Sequence, residues 1–367
     1  MGMLIDLVAG ARPNFMKIAP LYHALAAGSC FEPRIVHTGQ HYDENMSDFF
    51  FRDLGLPEPD IALKIGSGPA GWQTGQILGA YESVLLDRAP DVVVVVGDVN
   101  STLAATLAAV KLGVATCHLE AGLRSFDRSM PEEINRVLVD RVADVLWTPS
   151  PDADAHLADE GVPPERITLV GNIMIDALER VRPRFETANA PAHHGVAPGT
   201  YGVVTLHRPE NVDDPDQLGR VVDALVGAAK TVPLLFPVHP RTRSRLEAAG
   251  LLETLQGAAG VSLIAPEGYV AFMSLVASAG LVITDSGGLQ EETTALSVPC
   301  LTLRKGTERP ITIEQGSNRL VTTRTLPEAV RDALDQERRY LRRPDRWDGR
   351  TAERIVADLR DRFATAA

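Results

Sequence analysis

Cysteine is scarce: Cys30, Cys117 and Cys300 are the only three in 367 residues. They are odd in number, far apart and form no paired motif, which excludes a disulfide framework and leaves reduced core residues as the expectation. Lysine is also rare, limited to Lys17, Lys64, Lys111, Lys230 and Lys305, and the formal net charge is −12. Without clustered positive charge the chain has no sequence-independent nucleic-acid surface. An anionic ligand must therefore meet a local patch of basic groups. No stretch approaches the ~18 apolar residues of a membrane helix. Residues 1–15 carry Asp6 inside a short apolar run and read as a first strand, not a signal peptide, so a cytoplasmic location is expected. Internal repeats and low-complexity tracts are missing. So are a Ser-His-Asp order, a nucleophile elbow and a cysteine-nucleophile motif. There is no oxygen-ligand loop of calcium type, and neither metal nor cofactor is expected.

With 45% hydrophobic and 23% charged residues, the composition is that of an ordinary globular protein. Its length is too great for one core and suits two domains. Short apolar runs alternate with longer amphipathic segments throughout. Strands are expected at residues 4–9, 34–37, 92–96, 115–119, 145–147 and 167–170. A second series is expected at 201–206, 233–237, 262–265, 281–284, 300–303 and 319–321. Several are unbroken Val/Leu/Ile runs, as parallel strands covered on both faces require. The expected fold is α/β, with two doubly wound Rossmann-like domains placing the carboxyl ends of their strands around one cleft. The first domain is expected over residues 1–182 and the second over 201–346. Residues 183–200, with Pro183, Pro191, Gly195, Pro198 and Gly199, read as a linker whose His193-His194 pair is solvated loop. Residues 336–350, rich in Arg and Asp, read as an exposed face.

The most informative stretch is Asp285-Ser286-Gly287-Gly288-Leu289-Gln290-Glu291-Glu292. An apolar strand turning through paired glycines into a helix leaves backbone N–H groups free at a positive dipole end, which suits a phosphate. Glu292, about one turn in, is placed to accept from a ribose diol. Glycines serving only close packing are the competing explanation for the turn itself. Gly10-Ala11-Arg12-Pro13 follows the first strand, with Pro13 at a helix start. There Arg12 and Lys17 are placed to reach a diphosphate, or to serve as surface groups. Gly66-Ser67-Gly68-Pro69-Ala70-Gly71 fits a Gly-x-Gly-x-x-Gly pattern but lies away from the first strand and contains Pro69. It reads as a mobile loop.

Asp98 ends the strand at 92–96 and Glu120 the strand at 115–119, the latter within His118-Leu119-Glu120-Ala121-Gly122-Leu123-Arg124. Glu132 and Glu133 follow Pro131 in a first helical turn, where the dipole suits them and Glu132 can pair with Arg136. Three acids on consecutive strand–helix connections favour acid–base chemistry over a divalent cation. His207 ends the first strand of the second series, either as a structural histidine or as a proton donor or phosphate partner. His239 ends the next strand. Arg304, Lys305 and Arg309 add basic groups after the strand that follows the glycine turn.

In order along the chain, Ala11-Arg12-Pro13, His37-Thr38-Gly39-Gln40-His41, Gly97-Asp98, Glu120 to Arg124, Pro131-Glu132-Glu133, Gly171-Asn172, Thr205-Leu206-His207-Arg208, Asp285 to Glu292 and Thr307-Glu308-Arg309-Pro310 resemble the non-hydrolysing UDP-N-acetylglucosamine 2-epimerases. The resemblance implies a fold of glycosyltransferase-B type, a homodimer, and a C-terminal helix (347–367) returning to the first domain. It implies interconversion of UDP-GlcNAc and UDP-ManNAc through a glycal, with no added cofactor. Carried over by position, Asp98, Glu120, Glu132 and His207 take catalytic roles. Arg12, Lys17, Arg124, His239, Ser286, Gly287, Gly288, Glu292 and Arg309 contact the UDP-sugar, and Phe272 contacts uridine. The segment Ser125-Phe126-Asp127-Arg128-Ser129-Met130 is shorter than in the best-known members. That leaves the sugar open, with a 2-epimerase of a 2,3-diacetamido uronic acid UDP-sugar as the alternative; a glycosyltransferase of the same fold class is a separate rival.

Overall fold

The computed structural model describes residues 2–39, 54–335 and 342–364, apart from the side chains of Arg12 and Ala364. Gln40 and His41 thus lie outside the described residues. The chain forms two compact units, residues 1–177 with 345–367, and residues 178–344.

The first unit is built on a seven-stranded parallel sheet. Its strands are β1 (Met3–Ala9), β2 (Phe31–His37), β3 (Ile61–Ala62), β4 (Val92–Val96), β5 (Ala115–Leu119), β6 (Val145–Thr148) and β7 (Ile167–Leu169), in spatial order β3-β2-β1-β4-β5-β6-β7. The β4 run of five valines is buried throughout. Branched side chains suit a pleated surface packed on both faces. A charge within β1 is satisfied inside this core. Asp6 on β1 accepts from Arg34 Nε (2.6 Å) and Nη2 (2.9 Å) and from Tyr81 Oη (2.7 Å).

The second unit holds a six-stranded parallel sheet. Here β8 (Gly202–Thr205), β9 (Leu234–Pro237), β10 (Val261–Ile264), β11 (Leu281–Thr284), β12 (Cys300–Leu303) and β13 (Asn318–Val321) lie in the order β10-β9-β8-β11-β12-β13. Leu218, Val222, Leu225, Phe236 and Ile283 are among its core residues. In each sheet the winding reverses once, between β1 and β4 and between β8 and β11. Ligands of open α/β sheets bind outside the carboxyl ends of strands at such a reversal. Every expected strand forms within two residues of its predicted start, except β2, which starts three residues earlier. The two-residue β3 carries too little pattern to be read.

Three expectations need correction. The chain passes between units at Ala177 and Leu178, inside the helix Ile173–Ala188, and a second helix, Ala190–His193, follows at once. The proposed linker is therefore largely helical: Phe185, Ala190 and Pro191 are buried, and His194 Nε2 lies 3.0 Å from Glu267. Secondly, Ala70 and Gly71 are not loop but open the helix Ala70–Asp87, with Pro69 at its cap. Thirdly, residues 336–341 lie outside the described set, but Trp347 in the supposedly exposed stretch is buried, its Nε1 donating to Pro149 O (3.0 Å).

That tryptophan leads into the helix Thr351–Leu359, which is part of the first unit. Asp176 accepts from the N–H groups of Thr351 (3.1 Å) and Ala352 (2.8 Å), satisfying two orphan donors at the helix start. Asp358 accepts from Trp147 Nε1 (2.8 Å). Ile355 and Leu359 are buried, and the helix packs against Arg12–Ala26. No helix among the described residues is long and apolar enough to cross a membrane.

Candidate active site

In the first unit the chain leaves β1 through Gly10 and Ala11 into the helix Arg12–Ala26. Asn14 holds this turn, its Oδ1 accepting from Gly10 N (3.1 Å) and Ala11 N (3.0 Å) while its Nδ2 donates to Val96 O (3.1 Å). Gly10 is required by packing, because a Cβ there would overlap the Ser101 hydroxyl. The end of β1 is thereby fixed to the end of β4.

Lys17 and Glu120 form a buried ion pair through Lys17 Nζ and Glu120 Oε2. They meet across Gly97, whose φ is +68°, and a Cβ there would lie 3.3 Å from Lys17 Nζ. Lys17, expected to face a diphosphate, thus has a carboxylate partner in the free protein. Glu120 carries the decisive oddity of this unit. It has φ 72°, a left-handed conformation that costs a non-glycine residue of order 1 kcal/mol or more, and its Oε1 is buried with no hydrogen-bond partner among the described residues.

Asp98 is half-buried and pairs through Oδ2 with Arg136 Nη2. Arg136 also donates to Glu133 Oε2 (2.5 Å). The expected Glu132–Arg136 pair is therefore replaced by Glu133–Arg136. The reason is helix phase: Glu133 and Arg136 turn inward, and Glu133 also accepts from Ser125 N, Ser125 Oγ and Phe126 N at 2.9 Å each, whereas Glu132 is exposed. The Arg124 guanidinium is buried too, donating to Glu160 (2.7 and 2.8 Å), Asp140 (2.7 Å) and Leu123 O (2.8 Å). Arg12 opens its helix, and its side chain lies outside the described set.

In the second unit, fully buried Asp285 ties β8 to β11. It accepts from His207 N (3.1 Å), Arg208 N (2.9 Å) and Asn211 Nδ2 (3.1 Å) and lies 3.2 Å from His207 Nδ1. The His207 ring is 44% exposed and 6.0 Å from the ring of His239. His239 Nδ1 accepts from Arg241 N (3.2 Å). Burial and the neighbouring His207 push its proton affinity down, so the ring stays neutral.

The helix Gly287–Ala295 starts at Ser286 with no side-chain cap. The Arg309 guanidinium sits over this start: a Cβ on Gly287 would lie 3.0 Å from Arg309 Nη1, whereas one on Gly288 meets nothing within 4 Å. Close packing therefore explains Gly287 but not Gly288. A cation placed at the positive end of a helix is unfavourable by itself. It is held there by Glu291 (2.8 Å) and Glu308 (3.0 Å). Burial works against ionising Glu308, yet Arg309 and Arg304 hold its carboxyl down to about 2. Amides and guanidinium together make an anion seat. Glu292 lies deeper, accepting from Tyr269 Oη (2.7 Å), with half-buried Phe272 one turn beyond Tyr269 on the same helix, Tyr269–Ser278.

Both halves of this chemistry have counterparts in known proteins. The family model for UDP-N-acetylglucosamine 2-epimerase matches residues 23–360. The chain belongs to this family. Among its relatives is the UDP-N-acetylglucosamine 2-epimerase of Methanocaldococcus jannaschii, 42% identical over 364 residues, which span 97% of this chain and 99% of that one. The crystal structure of the M. jannaschii protein in complex with UDP-GlcNAc and UDP superposes with a TM-score of 0.87, covering 97% of this chain and 99% of that one at 42% identity. A Pseudomonas aeruginosa UDP-2,3-diacetamido-2,3-dideoxy-D-glucuronate 2-epimerase is 42% identical over 323 residues, covering 87% of this chain and 88% of that one. The epimerase fold, α/β with two parallel-sheet units of glycosyltransferase-B type, is as expected.

Sequence reasoning missed Tyr269, Asp140 and the buried role of Glu133. Tyr269 was within reach, since it precedes Phe272 by three residues and shares its helix face. Burial pushes the Glu292 carboxyl up to about 7, against a lowering by Tyr269 and with a further rise from Glu291. An acid whose folded value is raised costs stability as pH climbs from its ordinary value, 4.5, to about 7, and the full cost persists above that. Glu292→Gln should therefore match wild type near pH 4.5 and gain on it up to pH 7, by on the order of 3 kcal/mol. Denaturant midpoints at pH 5, 6, 7 and 8 check this; a constant difference across that range contradicts it.

Proposed function

We propose that the chain inverts C2 of a UDP-linked N-acetylhexosamine, interconverting UDP-GlcNAc and UDP-ManNAc. The C2 proton is removed, UDP departs to leave a glycal, and UDP adds back with the opposite configuration at C2. The observation that carries this reading is Glu120, strained at the carboxyl end of β5, with one oxygen on Lys17 and the other buried and without a partner among the described residues. Such an oxygen is suited to receive a proton. Re-addition needs a proton delivered to the other face of C2, and Asp98 or Glu132 supplies it. The departing diphosphate gains charge, which the Ser286 to Gly288 amides and Arg309 stabilise, with His207 beside it. Glu292 takes the ribose diol and Phe272 the uracil. A glycosyltransferase needs the anion seat but not the acids.

Pure protein with UDP-GlcNAc in deuterium oxide, followed by NMR, tests the reading. UDP-ManNAc labelled at C2, without accumulating UDP, is expected. Free ManNAc with UDP would mean hydrolysis, and binding without turnover would mean a sensor. A second reading rests on the P. aeruginosa relative. Turnover of the diacetamido uronic acid UDP-sugar, with UDP-GlcNAc untouched, would favour it.

We further propose a homodimer. Phe126 (73% exposed), Ile134, Val137 and Leu138 line a groove of about 290 Å³ on the first unit. The helical residues are spaced i, i+3, i+4, and a twofold contact lets one such stripe cover its own copy. Sedimentation should give a dimer that Leu138→Glu converts to monomer. A monomeric wild type at 50 µM (about 2 mg/ml) would refute it.

A further inference from the structure

We propose that His118 is a positioning residue that holds the three acid-bearing segments of the first unit in one register by donating a hydrogen bond from each ring nitrogen. The inference rests on the epimerase reading and deepens it. His118 lies on β5, fully buried, with Nδ1 2.6 Å from Asp140 Oδ1 and Nε2 2.8 Å from Gly97 O. Gly97 O is a carbonyl and can only accept, so Nε2 must carry a proton. Asp140 already accepts from Gly122 N (3.0 Å) and Arg124 Nη1 (2.7 Å) through its other oxygen. The Arg124 guanidinium, paired with Asp140 at 2.7 Å, and the Gly122 N–H both call for a carboxylate there. A carboxylate has no proton to give, so Nδ1 must donate too.

The partners of this ring explain its purpose. Gly97 is the residue before Asp98. Asp140 lies on the helix Pro131–Val142, two turns beyond Glu132. Gly122, which Asp140 also holds, follows Glu120 by two residues. One side chain therefore connects the three backbone segments that carry Asp98, Glu120 and Glu132. Two of those segments turn through left-handed backbone, at Gly97 (φ 68°), Glu120 (φ 72°) and Gly122 (φ 79°). Such conformations persist only where their surroundings over-determine them. Reaction on two faces of one carbon needs acids held to a fraction of an ångström.

NMR of ring-¹⁵N-labelled histidine in the wild-type protein at pH 7 tests the bridge without reference to activity. Both His118 nitrogens should be protonated, and a bare nitrogen overturns the proposal. Two variants then separate positioning from packing. His118→Asn keeps a donor toward Asp140, and His118→Gln keeps one toward Gly97 O. Each should bind UDP within threefold of wild type, lose about 100-fold in kcat, and change the ratio of C2 deuterium uptake to epimer formed. A folded variant with kcat within threefold of wild type overturns the proposal. If neither variant folds, the wild-type ring spectrum decides. Absence of wild-type turnover on UDP-sugars would instead sink the parent reading and leave the ring protonation to be read on its own.

Discussion

Replacing Glu120 with glutamine is expected to lower kcat by about 10³-fold while leaving the dissociation constant for UDP within threefold of wild type. The substitution keeps the side chain's shape and removes its ability to take a proton. The oxygen that matters is Oε1, buried and without a partner among the described residues, since Oε2 is engaged by Lys17. The amide also leaves the Lys17 ammonium without its anion, so the melting temperature should fall as well. Calorimetric titration with UDP separates the effects, because the anion seat proposed for the diphosphate, Ser286 to Gly288 with Arg309, lies in the second unit. Deuterium uptake at C2 should fall with turnover. Turnover within tenfold of wild type, in a variant that binds UDP normally, would take Glu120 out of the proton chemistry.

The second large effect is structural. Asp285→Ala is expected to destabilise the second unit by about 3–5 kcal/mol, the cost of leaving three buried donors unsatisfied at about 1–3 kcal/mol each. Asp285 is fully buried and receives two backbone N–H groups and the Asn211 amide, all donors. Alanine would leave all three buried donors without an acceptor. The same residue sets the end of β8, where His207 emerges, against the end of β11, where the glycine turn begins. UDP affinity should therefore fall together with stability. Hydrogen exchange read on peptides spanning β8 and β11 checks the first effect, and titration the second. Unchanged protection in both strands would refute the account.

Much of the architecture was legible because parallel strands covered on both faces are written as unbroken apolar runs. β4 is five consecutive valines, and no solvent-facing alternation blurs its limits. The acids and glycines at strand ends were legible for a related reason: in doubly wound sheets polar groups gather where strands stop. Contacts between distant segments were not legible. Nothing local tells that Lys17 reaches Glu120, 103 residues away, or that Arg124 is turned inward by Glu160 and Asp140. Glu132 and Glu133 are adjacent and chemically alike, and only the phase of their helix decides that Glu133 is the buried partner of Arg136. The linker was misread because Pro183 and Pro191 suggested loop. Pro191 stands in the first turn of a short helix, where a missing N–H costs little, and Pro183 is tolerated within Ile173–Ala188.

Because residues 345–367 complete the first unit, the order of synthesis and the order of assembly cannot coincide. On the ribosome, nascent residues 1–177 emerge long before the Thr351–Leu359 helix that packs on Arg12–Ala26, the helix bearing Lys17. Until residues 351–359 have emerged, an apolar seat for Ile355 and Leu359 stands open and Asp176 waits for its two donors. The unit proposed to handle protons is thus completed only after every residue of the unit proposed to hold the nucleotide has been made.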